Sequence, residues 1–228
     1  MSRSRIALCL ALSLAVGGCG FRHIARTLGR DQGELYATAG GPFLGVGDAP
    51  LLVPSARLGG RYGVTHYFDV GGSIAADALG FGILAMDAYV VQQLYRRPNG
   101  FALSISGRAH LLFDLNDDFT TRGFPELGLH MEHRVERWLT VFWGVVGVAQ
   151  FEPPQDKPPV FVTPYLGAEL ILDHNPPTRQ YFTVQVAWIS PWEDFRSWAS
   201  WEPAGAGALV LVVGWRGHYN AGTERSFP

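Results

Sequence analysis

Residues 101–114 read Phe101-Ala-Leu-Ser-Ile-Ser-Gly-Arg-Ala-His-Leu-Leu-Phe-Asp114, FALSISGRAHLLFD. The odd positions carry Phe101, Leu103, Ile105, Gly107, Ala109, Leu111 and Phe113, and the even ones include Ser104, Ser106, Arg108, His110 and Asp114. Successive side chains on a strand point to opposite sides, so this alternation predicts one apolar and one polar face. A helix would spread both sets around its circumference.

The same two-residue period recurs along most of the chain. It is weak at 34–43 and clear at 55–65, where Ala56, Leu58, Tyr62 and Val64 oppose Arg57 and Arg61. At 68–77 the polar set is Asp69, Ser73 and Asp77, and at 81–95 it is Asp87 and Gln93. At 123–135 Glu126, His130, Glu132 and Arg134 oppose Leu127, Leu129 and Met131, while 138–148 is apolar on both faces. Runs at 160–172, 180–189 and 207–219 place Glu169 and then Arg216 and His218 on the polar side. The count is ten strands, each of about 10–13 residues.

Connections are expected at 44–54, 65–66, 78–80, 96–100, 114–122, 134–137, 150–159, 173–179 and 190–205. Short and long links mostly alternate, with 78–80 as the exception. Short turns at one end and long loops at the other is the layout of an outer-membrane barrel. At ~3.3 Å per residue and a tilt near 40°, about 11 residues cover the ~25 Å apolar band of such a barrel.

The first eighteen residues stand outside this pattern. Arg3 and Arg5 precede a short apolar run, Ile6 to Val16, and small residues follow. That is a secretory signal, too short to span a bilayer as a helix. The run ends Val16-Gly17-Gly18-Cys19, which resembles the lipobox of bacterial lipoproteins. The resemblance implies that Cys19 is acylated and becomes the mature first residue. Cleavage would also remove Cys9, leaving no disulfide framework. Losing Arg3 and Arg5 from 18 basic residues leaves 16 against 20 acidic ones, a net charge near −4. Lys157 is the only lysine. This balance argues against a nucleic-acid partner, which needs a basic face.

Over about residues 34–219 the chain resembles the small transmembrane β-barrels of bacterial outer membranes. The expected fold is therefore all-β: a closed antiparallel up-and-down barrel of about ten strands, eight being the smaller alternative. The expected domains are a signal peptide at 1–18, a lipidated tether at 19–33, the barrel at 34–220 and a tail at 221–228. An even strand number puts both termini on the periplasmic side, where a lipid on Cys19 would also lie. The tail AGTERSFP departs from the usual terminal aromatic strand. A soluble barrel or sandwich would alternate too, with its apolar face inward. The aromatics near strand ends, Tyr62, Tyr67, Trp138, Trp188 and Trp215, favour a membrane belt.

If the polar face lines the lumen, it collects Arg57, Arg61, Asp69, Asp77, Asp87, Arg108, His110, Glu126, His130, Glu132, Glu169, Arg216 and His218. Both signs occur, so ion pairs can offset the burial of each charge. A ten-stranded barrel lies just above the size that side chains fill, so a mostly plugged lumen is expected. The bland role of these residues is structural pairing. The sharper one is a barrel enzyme acting on envelope lipids or peptides, with His130 as base and Glu132 or Asp87 orienting it. No nucleophile is fixed, and no catalytic residue is assigned.

HMEH at 130–133 does not make a metal pair, since His130 and His133 have opposite parity on a strand. No GxxxxGK[ST], HExxH or GxSxG motif is present, and no cofactor is implied. One loop stands apart. Ser190-Pro191-Trp192-Glu193 reads as a helix start, followed by Phe195, Trp198 and Trp201. It reads as an amphipathic segment on the membrane surface or across the barrel mouth. A binding loop for a small apolar ligand or a surface partner is the rival reading. The expected role is a structural, surface-binding or envelope function, with a barrel enzyme or a soluble calycin-like carrier as alternatives.

Overall fold

In the computed structural model, the described residues are 24–46, 49–52, 54–75, 82–97, 100–115, 121–151, 159–173, 179–191 and 208–219. They form eleven strands: β1 (Gly33–Val46), β2 (Ala49–Leu52), β3 (Ser55–Gly63), β4 (Phe68–Ala75), β5 (Ile83–Arg96), β6 (Phe101–Asp114), β7 (Thr121–Glu136), β8 (Leu139–Ala149), β9 (Val160–Asp173), β10 (Arg179–Ile189) and β11 (Ala208–Tyr219). No helix occurs among the described residues.

Ten strands, β1 and β3 to β11, make a closed antiparallel barrel. Each pairs with its sequence neighbour, and β11 returns to β1 in a register running from Gly33 opposite Tyr219 to Pro42 opposite Val210. Closure removes the exposed edges that would otherwise recruit other chains. The expected ten strands are all present. The remaining strand, β2, folds back on the far end of β1, pairing Phe43 with Leu52 and Val46 with Ala49. It lies within what was expected to be a plain loop. The signal was present: Gly47-Asp48, flanked by apolar residues, is a two-residue hairpin connection.

The connections separate cleanly by end. At the short-turn end, where β1 starts and β11 finishes, β3, β5, β7 and β9 finish and β4, β6, β8 and β10 start. At the other, long-loop end β4, β6, β8 and β10 finish and β5, β7, β9 and β11 start, beside the pairing of β1 with β2. The link expected at 78–80 lies outside the described residues, β4 being described to Ala75 and β5 from Ile83.

Side-chain direction follows parity. On β6, Ala102, Ser104, Ser106, Arg108, His110 and Leu112 are buried, while Ile105 is 44% exposed. The outer surface carries Leu58, Ile74, Val90, Leu127, Val145, Leu166 and Val184 around the barrel, with Leu127 74% exposed. A bulge between Gln93 and Tyr95 on β5 turns both Leu94 and Tyr95 outward near the short-turn end. Tyr62, Tyr67, Trp138 and Tyr219 are also exposed at that end.

The interior is filled by rings laid over glycines. Gly59 faces the Tyr36 ring, Gly71 the Tyr89 ring, Gly144 the Tyr165 ring and Gly167 the Phe142 ring. A Cβ at any of these four would overlap the ring, so the barrel needs a bare backbone there. Apolar interior residues cluster towards the long-loop end, as Phe142, Val146, Phe161, Ala187, Ile189, Ala208 and Val210 on β8 to β11. This is why the β8 sequence is apolar on both faces. One face looks out and the other packs within the lumen.

Candidate functional site in the barrel interior

The charged residues assigned to the polar face converge inside the barrel in two networks. The first is built on β1, β3, β4, β9 and β11. Glu34 Oε2 accepts from Arg61 Nη2 at 3.2 Å and from Arg216 Nη1 at 2.9 Å, and lies 2.6 Å from His218 Nε2. Arg216 also grips Glu169 with two nitrogens, Nε at 2.5 Å and Nη2, as a bidentate pair. Its guanidinium stacks 4.4 Å above the Tyr181 ring. Arg61 Nη1 lies 3.6 Å from Asp69 Oδ2.

The second network spans β3 to β7. Arg57 Nη1 donates to Asp87 Oδ2 at 2.5 Å, and the Ser73 hydroxyl donates to the same oxygen. Arg108 lies 3.9 Å from that carboxylate and 3.7 Å from Glu126, with its guanidinium 4.6 Å over the Tyr89 ring. His110 Nε2 is 3.2 Å from Glu126 Oε2. Among these residues, two arginines face two carboxylates. In the first network two arginines face three, with His218 beside them.

A third group is smaller. Ser106 Oγ lies 2.6 Å from His130 Nε2, and His130 Nδ1 lies 2.5 Å from the Tyr165 hydroxyl. This is the geometry of a histidine poised on a serine. The orienting residue is Tyr165, however, not Glu132 or Asp87. Asp87 is committed to Arg57, and Glu132 accepts from Arg26 at 2.5 Å. All three members of the group are buried, His130 to 1% exposure. A hydroxyl enclosed this way has no face on which a substrate carbonyl could be set, so the group reads as a hydrogen-bonded crosslink between β6, β7 and β9. His133 is exposed on the opposite side of β7, as parity requires. No group of residues suited to holding a metal ion occurs among the described residues.

The segment expected to be a tether contributes to the interior instead. Residues 24–32 enter the short-turn mouth, with Ile24, Ala25, Thr27 and Leu28 buried. Ile24 packs with Tyr36, Tyr89 and Val91. The segment then leaves through a turn with Gly29 at φ 101° and Asp31 at φ 62°, fixed by Asp31 N–H to Gly63 O at 2.8 Å and Gly63 N–H to Gln32 O at 2.9 Å. Short aperiodic segments carry no parity signal, so the sequence could not show this placement. Glu34, Tyr36, Ser73, Tyr89 and Tyr165 were likewise not singled out as members of the charged cluster. Glu34 had a signal, since it shares the parity of buried Tyr36 and Thr38 in a strand whose alternation is diluted by glycines.

Five expected features lie outside the described residues: the signal peptide at 1–18, Cys19, Asp77, the aromatic loop residues Trp192, Phe195, Trp198 and Trp201, and the tail at 221–228. The edge of that loop is visible. Ser190, expected as a helix N-cap, has φ 40° rather than the extended conformation of a cap, and its N–H continues the sheet by donating to Val162 O at 2.7 Å.

No family model matches the chain, and no curated protein does. Solved structures with a similar fold are bacterial barrels. The NanC porin is 8% identical, with a TM-score of 0.46 over 81% of this chain and 97% of that one. The translocator domain of the autotransporter NalP from Neisseria meningitidis is 8% identical, with a TM-score of 0.43 over 95% of this chain and 97% of that one. A Pseudomonas aeruginosa FadL homologue is 10% identical at a TM-score of 0.36, over 86% of this chain, which spans 66% of its length.

Proposed function

We propose that the protein is an outer-membrane β-barrel lipoprotein with a closed, polar, ion-paired lumen and a structural or surface-binding role in the envelope. The observation that carries this reading is the inside-out distribution of side chains. Arginines, carboxylates and histidines are buried, while leucines, valines and isoleucines are exposed around the barrel. A water-soluble barrel places these sets the other way round, because exposing so much apolar surface to water costs about 25 cal/mol per Å². A lipid environment reverses the balance. The same observation disfavours a soluble calycin-like carrier. The exposed tyrosines and Trp138 at the short-turn end suit a membrane–water interface. In this reading the short-turn end and both termini face the periplasm.

Acylation of Cys19 fits that orientation. Ile24, the first described residue, already lies inside the short-turn mouth, and Cys19 stands five positions before it. The charged networks cross the lumen where a pore would run, so the barrel is read as closed. Its working surface is then the long-loop end.

Membrane fractionation and gel migration test this reading. A Cys19→Ala chain should lose incorporation of a radiolabelled fatty acid yet stay in the membrane after a high-salt wash and keep heat-modifiable migration. Release by salt would sink the membrane barrel, and absence of label in the parent chain would refute lipidation.

A further inference from the structure

The contacts made by residues 24–28 have the character of ligand recognition. Successive backbone polar groups of this segment are met by barrel side chains, not by a strand. The Ser104 hydroxyl donates to Ile24 O at 3.2 Å, Gln93 Nε2 to Ala25 O at 3.5 Å and Arg61 Nη1 to Arg26 O at 3.2 Å. Leu28 N–H donates to Asp69 Oδ2 at 3.0 Å. All four of these barrel residues are buried.

Side chains are read as well. Arg26 places Nε on Glu132 and points Nη1 and Nη2 at the carbonyls of Arg97 and Gly100, at 3.3 and 3.0 Å, on the β5–β6 turn. The Thr27 hydroxyl lies 2.6 Å from Gln93 Oε1 and 2.8 Å from His66 O. Ile24 enters the apolar site made by Tyr36, Tyr89 and Val91. The segment is joined to the barrel through the left-handed turn at Gly29 and Asp31, which Gln32 N–H closes on Gly29 O at 3.3 Å and two hydrogen bonds hold to Gly63.

The geometry points to a peptide-binding site in the short-turn mouth, occupied in cis by the chain's own residues 24–28. Its ligand class is a peptide of the pattern apolar–Ala–Arg–Thr–apolar, bent at its second and third residues as Ala25 and Arg26 are. The carbonyls and one N–H are read by Ser104, Gln93, Arg61 and Asp69, the arginine by Glu132, and the leading apolar residue by Tyr36, Tyr89 and Val91. The cis segment is a displaceable occupant, and a peptide of the same pattern can take its place from that side. That this side is periplasmic rests on the reading proposed above, whereas the site itself does not.

The test uses the full chain in detergent with two readouts. The first is the reaction of a Ser104→Cys chain, in a Cys9→Ala and Cys19→Ala background, with a polar maleimide. The second is the anisotropy of a fluorescent peptide of sequence FRHIARTLGRDQ added to chains that keep Ser104. Combined Ile24→Asp and Arg26→Glu substitutions should raise maleimide reactivity at least tenfold. They should also create saturable peptide binding, at least tenfold tighter than to the parent chain, whose site is already filled. Replacing the peptide's arginine by alanine should weaken that binding at least tenfold.

Adding Glu132→Arg to an Arg26→Glu chain should return maleimide reactivity towards the parent level, which a loss of packing alone would not do. If the double substitution blocks barrel closure, seen as loss of heat-modifiable migration, the single Arg26→Ala chain carries the same two readouts. Unchanged reactivity would overturn the proposal, as would an opened site that binds no peptide or binds the arginine-free peptide equally well. None of these results depends on whether the barrel resides in a membrane.

Discussion

Replacing Leu127 by arginine should destabilise the folded protein in lipid vesicles by about 2–4 kcal/mol, the cost of an arginine on the lipid face near the bilayer midplane. Leu127 lies halfway along β7, opposite Gly107 on one side and Gly147 on the other, and is among the most exposed apolar residues. In the folding equilibrium this is a loss of roughly 30-fold to 1,000-fold, since 1.4 kcal/mol is a factor of ten. The same substitution at Tyr62 or Trp138, near the short-turn end, should cost only about 0–1 kcal/mol, because the penalty falls towards the interface. Denaturant titration of the three variants in vesicles measures the difference. A barrel living in water predicts no penalty that peaks at Leu127. An exposed leucine there could become arginine within about 0.5 kcal/mol.

The second large effect concerns the buried charges. Removing Asp87 as alanine should cost about 3–5 kcal/mol, the range for breaking a buried pair and leaving its partner uncompensated. It would remove the carboxylate that faces both Arg57 and Arg108, leaving Glu126 beside Arg108 as the network's other acid, and would take away the oxygen to which Ser73 donates. Glu34→Ala should cost less despite its three contacts. Arg61 keeps Asp69, Arg216 keeps Glu169, and the charges in that network then balance. Adding Arg57→Leu to Asp87→Ala should recover part of the loss, because a buried pair can be exchanged for apolar packing at little cost. Unfolding titrations of the two single variants and the double one test the ranking. A Glu34→Ala chain less stable than Asp87→Ala would show that contact number, not charge balance, governs the interior.

Much of this architecture was legible in the sequence because a strand has a period of two. Phe101–Asp114 illustrates the point: parity alone placed Arg108 and His110 on one face and Ile105 on the other. Parity does not say which face is outside, and it contains no register. Ser106 and His130 share a face by parity. Only the pairing of Ser104 with His130 across β6 and β7 brings Ser106 onto the imidazole. Tyr165, on β9, reaches the other nitrogen from across β8, a relation that no local pattern encodes.

Elements without a period were missed for the same reason. Ile24 and Leu28 are spaced as a helix turn would space them, yet the segment is irregular and takes its shape from the mouth that holds it. The β1–β2 hairpin hid within a glycine-rich link where alternation fades. At Ser190 the backbone has φ 40° and its N–H still belongs to the sheet through Val162 O, while the helix expected after it lies outside the described residues.

The central claim is that the outward apolar face of the barrel meets lipid. A series of single cysteines along β6, from Leu103 to Phe113 in a Cys9→Ala and Cys19→Ala chain, can be spin-labelled in vesicles. Collision with oxygen, which concentrates in lipid, is then compared with collision with a water-soluble nickel complex. The account predicts a two-residue period, with labels at 103, 105, 109, 111 and 113 accessible to oxygen and shielded from nickel, and those at 104, 106, 108 and 110 shielded from oxygen. Nickel access along the odd positions would place that face in water and contradict it.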